Sequence, residues 1–428
     1  MSLDPLVRAL SQRLRPETVH TDPVTRQCFA IGPHIPAVVL FPSSETEVAI
    51  AIEVCAQSGA AVVPWGAGAR QRQVPPPHRY DVALGLSSLS RVVAYQPEDL
   101  TLTVEAGCTL DTIAGLLEPR QQWLPLDVAC PERSTAGGVV ASAAVGLDRA
   151  GMVSVRDLLL GITVVTGEGI VAHAGGQVVK NVAGYDLMRL VAGSWGTLGV
   201  VTQVTWKLAP KPQRRAVVWQ PCRGLDEGLA VAAACAASTP EPTLLAVVRW
   251  PDESTPDART SVLVGWSGVE DEVAEARAAI ASVAPSVQWL DEPEQVPLWK
   301  RVRDFPLVGP AGPWAGGVRL SLLPSDSFAC VEALAKEVET THVAVCLLPQ
   351  RGCVYLRTAR HDASWMRRML AWASDFASAR RGWAWVDDWP ASGALAAGAL
   401  PNLYLSRRVK NAMDPRAILS PGRYWGHW

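Results

Sequence analysis

Charge is scarce in this 428-residue chain: 39 basic and 41 acidic residues make up 19% of it, against about 25% in an average globular protein. The formal net charge is −2. With no cationic excess to neutralise a phosphate backbone, nucleic acid is excluded as the expected partner. Clustered cysteines are missing as well. The nine cysteines are scattered, Cys346 and Cys353 being the closest pair, and no C-x-x-C occurs. Zinc ribbons, thioredoxin chemistry and local iron–sulfur ligation therefore lack a sequence basis, and the thiols read as reduced and buried in a cytoplasmic protein. Of the seven histidines, the closest two are His20 and His34, so neither H-x-H nor H-E-x-x-H is available and no metal is expected. Long apolar runs are absent too. The longest uncharged stretch, Trp389 to Ser406, is broken by Pro390 and Pro401, whereas a spanning helix needs about 20 mainly apolar residues. No secretory leader is expected; Asp4 and Pro5 open a short amphipathic helix instead.

What is present is apolar and rich in small residues: 49% hydrophobic, with 34 glycines and 33 prolines. The length fits two or three domains at about 150 residues each. Four segments are expected. Residues 1–35 form an N-terminal helical segment, and 36–211 alternate strand-like and helix-like stretches. Residues 212–390 form an α+β unit, and 391–428 a C-terminal segment packing back on the first domain. In the second segment Ser44 and Glu47 make a capping-box pattern and Gly59 a C-cap, bracketing a helix with Val48, Ile52 and Cys55 on one face. A strand at 60–65 runs straight into the loop Gly66-Ala67-Gly68-Ala69-Arg70-Gln71. The third segment repeats one element order, strand–helix–strand–strand–helix–strand, over 216–290 and again over 315–387. Each half is a βαββαβ unit of the kind that builds antiparallel sheets. The stretch from Glu292 to Pro313, rich in Pro and Gly, reads as a connector.

Three small-residue elements stand out chemically. Gly66-Ala67-Gly68 follows a strand, but position 71 is Gln71 and a proline tract follows, so it is not a dinucleotide fingerprint. It remains a loop whose backbone lets an anion approach, or a plain surface turn. Ser134-Thr135 with Gly137-Gly138 offers hydroxyls and close-approach backbone before a helix expected near Val139, whose N-terminus favours phosphate. Gly193 to Val201 places Gly196 and Gly199 where a planar ring could lie on backbone. Together the three suggest a long phosphate-bearing ligand threaded along one domain.

The order Pro64-Trp-Gly-Ala-Gly, Thr135-Ala-Gly-Gly138, Lys180-Asn-Val-Ala-Gly-Tyr-Asp186, Gly193-Ser-Trp-Gly-Thr-Leu-Gly-Val200 and the tail Asp414-Pro415 with Pro421-Gly-Arg423 resembles the FAD-binding flavoproteins of the vanillyl-alcohol oxidase, or PCMH, type. Within them it is most similar to the FAD-binding subunits of bacterial glycolate oxidases. The resemblance implies an α+β fold: a PCMH-type two-subdomain FAD-binding domain plus an α+β cap domain with an antiparallel sheet. It implies that Gly66, Ala67, Gly68, Ala69, Arg70 and Gln71 wrap the pyrophosphate of FAD. Pro131, Ser134, Thr135, Gly137, Gly138 and Ala141 would lie along the flavin and ribityl side. Gly196, Gly199, Val200 and Val201 would make backbone contacts. Members with covalent flavin use a histidine in the pyrophosphate loop; Ala69 and Arg70 stand there, so the FAD is expected to be non-covalent.

The sequence departs from its relatives at Ala143, Val145 and Trp195, and it lacks the histidine-rich G-D-G-N-x-H segment of the catalytic hydroxyacid dehydrogenases. Oxidation of a hydroxyacid needs a carboxylate clamp and a base. Arg319, in a strand where Val318 and Leu320 face the other way, is the candidate clamp, with Arg249 or Arg357 as aids; an ordinary solvent-side position is the competing reading. Lys180 and Tyr185 could approach the flavin, and no base is identified. The expected function is an FAD-binding subunit of a multi-subunit 2-hydroxyacid (glycolate) oxidase or dehydrogenase, beside a homologous catalytic FAD subunit and an iron–sulfur subunit. Such a subunit would be cytoplasmic, reaching the inner membrane peripherally through its partners. The alternatives are a self-sufficient FAD-dependent oxidoreductase of a small hydroxyacid and a non-catalytic assembly subunit that keeps the fold. Trp250, Trp266, Trp289, Trp383, Trp385 and Trp389 read as core or subunit-interface packing.

Overall fold

A computed structural model describes residues 4–144, 146, 153–176, 186–237, 241–250, 260–283, 287–290, 292–309, 312–337, 343–359, 362–388 and 403–423. Lys180, Tyr185 and Trp389 lie outside the described residues.

Two sheets share the first hydrophobic core. One has four strands, ordered Val19–His20, Val38–Leu40, Val82–Gly85, Val62–Trp65, with the last two pairings parallel. The other has five antiparallel strands, ordered Val92–Gln96, Thr101–Glu105, Val200–Lys207, Leu159–Val165, Val171–Gly175. Val38, Leu40, Val62 and Leu84 from the first sheet are buried in one cluster with Val104, Ile162, Val164, Val204 and Trp206 from the second. Fully burying an aliphatic side chain of this size stabilises by about 1.5–3 kcal/mol. The helix Glu45–Ser58 packs its buried stripe Val48, Ala51, Ile52 and Cys55 into that cluster. It starts where Ser44 Oγ accepts from Glu47 N, and it stops at Gly59, whose φ of +66° suits a residue without Cβ. The capping box is only half made. The Glu47 carboxylate accepts from Ser43 N and from Arg15 rather than from Ser44 N.

The third sheet has eight antiparallel strands in the order Gln288–Leu290, Arg214–Cys222, Thr260–Gly268, Leu244–Arg249, Val343–Leu348, Cys353–Thr358, Gly316–Ser321, Trp383–Asp388. In each set of four the chain runs fourth, first, third, second from the outside inward, and the two sets meet where Val247 pairs with Leu347. The helices Leu225–Ala236, Glu270–Val283, Pro324–Glu337 and Ala363–Ser378 contribute to a core with one face of this sheet, where Val247, Val262, Val318, Leu320, Val345 and Leu356 are buried.

The expected connector at 292–313 is instead the helix Glu292–Asp304 followed by the hairpin Val308–Gly309 and Gly312–Pro313. The helix accommodates Pro297, and its Trp299 and Val302 bury with Phe305, Trp250 and Trp314 on the opposite face of the eight-stranded sheet. Burial of that apolar stripe outweighs the hydrogen bond that an internal proline forfeits. The same helix joins the two parts of the molecule. Trp299 Nε1 donates to Asp127 Oδ2 at 2.5 Å, and Cys130 N donates to Asp304 Oδ1 at 2.8 Å.

Candidate functional site: a glycine-walled cleft and an adjoining cavity

Strand Val62–Trp65 delivers its C-terminal end into the loop 66–71, and this loop forms one wall of a cleft. Gly66, Ala67, Gly68, Ala69, Arg70 and Gln71 all line it, facing Thr135, Gly137, Gly138 and Ala141 and closed by Gly196, Gly199 and Val201. Gly66 is required by closeness: a Cβ there would collide with the hydroxyl of Thr135. Gly199 is required for a different reason, since a Cβ would collide with Val164 of the neighbouring strand. The absence of a Cβ there lets the two strands pack, while Gly199 also lines the cleft.

Three residues expected along the ligand do not line the cleft. Pro131 begins the short 3-10 turn Pro131–Arg133, and Val200 is buried in the strand core. Ser134 lies behind the wall, donating to Ala129 O at 2.7 Å and accepting from Arg70 Nη1 at 2.8 Å. The helix behind the cleft begins at Ala136, not near Val139. Its first amides are already used: Ala136 N donates to Cys108 O and Gly137 N to Ala106 O, both at 2.8 Å, while Gly138 N donates to Thr135 Oγ1 at 3.3 Å. That terminus has no free donors for a phosphate, and its glycines serve close approach.

The positive charge comes from side chains. Arg70, Arg133 and Arg423 line the cleft, and among the described residues no carboxylate does. Arg423 is 2% exposed, donates from Nη2 to Gln71 O at 2.6 Å, and leaves a buried Nη1 without a partner. An orphaned guanidinium donor on a residue that lines a glycine-walled cleft is what a bound anion would complete. Burial pushes Arg423 and Arg70 down, each to about 10, so both remain cations at neutral pH. The residues thus fit an anionic dinucleotide cofactor, for which Arg423 and the 66–71 loop would be the residues to hold a pyrophosphate.

A cavity of about 270 Å³ adjoins the cleft, sharing Arg70, Ser142 and Trp195 with it. Its far wall is the eight-stranded sheet. Arg319 stands opposite Tyr355 on one neighbouring strand and opposite Trp385 on the other, with its guanidinium 4.1 Å from the Trp385 ring centroid. Val318 and Leu320 point into the helical core as the alternation requires. Arg319 Nε is buried and makes no hydrogen bond. Burial opposes its charge, yet Tyr355 and Asp387 carry its pKa above the ordinary value. Burial also raises the Tyr355 phenol, which stays protonated.

Asp387 sits at a bulge, where Gly317 pairs with Asp388 but Val318 with Val386. It pairs with the fully buried Arg357, which also donates to Pro306 O at 3.1 Å. Arg357 is thereby committed within the wall. Arg249 shares its strand parity with Leu245 and Val247, which face the helices, so it lies on the wrong face to assist. Arg133 and Arg423, together with Tyr355, Trp385 and Asp387, were not singled out from the sequence for this site. Only the Pro421-Gly-Arg423 pattern and the period-two alternation of strands 353–358 and 383–388 carry a trace of them. Of the tryptophans, Trp250 and Trp266 are core and Trp385 lines the cavity, while Trp383 is 47% exposed.

Comparison with known proteins agrees with this geometry. Residues 36–175 match the family model described as an FAD binding domain. Glycolate oxidase subunit GlcE of Escherichia coli (strain K12) is 44% identical over 123 residues, 28% of this chain and 35% of the relative. Glycolate oxidase subunit GlcD of Bacillus subtilis (strain 168) is 33% identical over 182 residues, 42% and 38% respectively. Each match spans well under half of the relative's length. In fold, the chain is similar to p-cresol methylhydroxylase, with a TM-score of 0.76 at 14% identity, covering 99% of this chain and 97% of that one. Residues 36–175 thus match an FAD-binding domain, and the chain as a whole has the fold of p-cresol methylhydroxylase.

Proposed function

We propose that this chain is the FAD-binding subunit of a multi-subunit oxidoreductase acting on a small 2-hydroxyacid such as glycolate. The observation that carries this reading is the juncture of cleft and cavity: a cofactor held along 66–71 and 135–141 would face the Arg319 cavity across Arg70, Ser142 and Trp195. When bound, FAD supplies a ring that accepts a hydride equivalent. The chain's own residues would bind and orient. Arg319 has an unused buried donor and a planar fork suited to a carboxylate. The protonated Tyr355 phenol beside it can donate to a substrate oxygen. Arg70 adds a second cation, while Asp387 is held by Arg357, leaving the cavity net positive for an anion. FAD would be held non-covalently, since Ala69 and Arg70 stand in the loop where a histidine would be needed.

Among the described residues no histidine lines the cavity. That supports a division of labour in which a homologous flavin subunit and an iron–sulfur subunit complete turnover and electron transfer. The relatives named above are themselves called subunits. Among the described residues no helix is long and apolar enough to cross a membrane; we place the chain in the cytoplasm, reaching a membrane peripherally through partners.

The test is anaerobic mixing of the FAD-loaded chain with glycolate or D-lactate, alone and with proteins co-purified from the native source. Flavin bleaching that requires the partners supports the subunit reading. Equal bleaching without them would replace it by a self-sufficient enzyme, and none in either case would leave a non-catalytic assembly role.

A further inference from the structure

The last described helix and the tail after it hold a buried ion pair that neither binds in the cleft nor lines the cavity. Lys410, on the helix Leu403–Met413, and Asp414, just beyond it, have side chains 3% and 0% exposed. All three ammonium donors are used: Lys410 Nζ lies 2.7 Å from Asp414 Oδ2, 2.7 Å from Thr197 O and 2.9 Å from Leu419 O. Asp414 accepts in turn from Ile418 N at 3.1 Å and Leu419 N at 2.8 Å. A buried pair with every donor satisfied avoids the penalty that an incomplete one incurs.

The partners of this pair matter more than the pair itself. Thr197 follows Gly196, which walls the cleft, and Leu419 leads through Ser420 to Arg423, the cation with the orphaned donor. Between them the tail runs as an extra parallel ribbon beside Val62–Trp65. Val62 N donates to Ile418 O and Ser420 N donates to Val62 O, both at 2.8 Å, and His78 N donates to Pro421 O at 2.9 Å. One ammonium, 213 positions from Thr197 in sequence, therefore ties the Thr197 turn to the Leu419 tail.

We propose that Lys410 is a positioning residue for the cofactor: with Asp414 it docks the tail against the Ser194–Thr197 turn and so presents Arg423 to the phosphates of FAD. The inference rests on the FAD site alone and is independent of the substrate. A tail held by its backbone bonds only would let Arg423 swing out, and its charge would then contribute nothing to holding the pyrophosphate. Cofactor affinity and tail docking are two faces of one equilibrium.

The experiment is a double-mutant cycle on the full chain stripped of FAD. FAD is titrated back and followed by flavin fluorescence for the parent, Lys410→Met, Arg423→Gln and the double variant. Each single change is expected to weaken FAD binding roughly tenfold or more, and the double to be at most about twofold weaker than the weaker single, because the two act through one contact. A folded Lys410→Met protein whose FAD affinity stays within about twofold of the parent while its Tm falls would overturn the proposal, since that is a purely structural clamp. So would losses that multiply in the double variant. If Lys410→Met does not fold, Asp414→Asn takes its place in the same cycle. A measurement on the parent needs no variant: FAD is expected to slow hydrogen exchange at Ile418, Leu419 and Arg423, and unchanged exchange there would count against the proposal.

Discussion

At the scale of single residues, the site is a set of guanidinium groups held in different degrees of commitment. Arg357 is paired with Asp387 and Pro306 O, although its Nε is left over, and Arg70 with Ser134 and Ala129 O; Arg423 Nη1 and Arg319 Nε are unpaired buried donors on residues that line the cleft and the cavity. A donor left unpaired in a protein interior costs about 1–3 kcal/mol unless a ligand completes it. The two orphaned donors therefore mark where two different anions are expected, the cofactor's phosphates and a substrate carboxylate. Arg319→Ala removes a charge-assisted bond of about 1.5–3 kcal/mol, which corresponds to roughly a 10- to 100-fold rise in KM for the hydroxyacid in the assembled enzyme. FAD affinity should stay near the parent's, because Arg319 lines the cavity and not the cleft. A KM unchanged in that variant would remove Arg319 from substrate binding. Lys at this position should recover only part of the loss, lacking the planar fork.

At the scale of elements, the helix Glu292–Asp304 is the joint between the cap sheet and the loop that precedes the cleft wall. Burial pushes the Asp304 carboxyl up, but Arg303, the Cys130 amide and Lys300 overcome it and hold the group below the usual carboxylate range. A carboxyl whose pKa is lowered on folding stabilises fully above its unfolded value, about 3.9, and loses that contribution as pH falls through the folded value. Stability should therefore decline on acidification below about pH 4 more steeply in the parent than in Asp304→Asn, as read by urea midpoints across pH. Parallel pH profiles for the two proteins would show that the contact carries no such linkage. This helix also shows where sequence reasoning stops. Periodicity alone located the helices at 225–236 and 363–378 within a few residues, because their apolar stripes are uninterrupted. Pro297 disguised the stripe of Trp299 and Val302, and only tertiary burial against Trp250 and Trp314 decides the matter. The 66–71 loop was legible because small residues after a strand have few other uses. The partners of Arg319 were not, since Tyr355 and Trp385 come to face it by strand order, which no local pattern states.

At the scale of the whole molecule, one fused core carries the cofactor cleft and one long antiparallel sheet closes over it, with the tail returning to finish the cleft's edge. The low charge of the chain fits this plan, since few side chains can be ionic where backbone must approach a cofactor so closely, and the proposed phosphate and carboxylate positions are where Arg423 and Arg319 stand. The account stands on a single dissociable FAD bound between the 66–71 loop, Thr135 to Ala141 and Arg423. The most direct test is titration of the apo full chain with FAD, followed by acid precipitation of the loaded protein. The account predicts saturation at one FAD per chain, a rise in Tm that grows with free FAD, and all of the flavin in the acid supernatant. A colourless protein that FAD does not stabilise would contradict it outright, and flavin retained on the precipitate would contradict non-covalent binding.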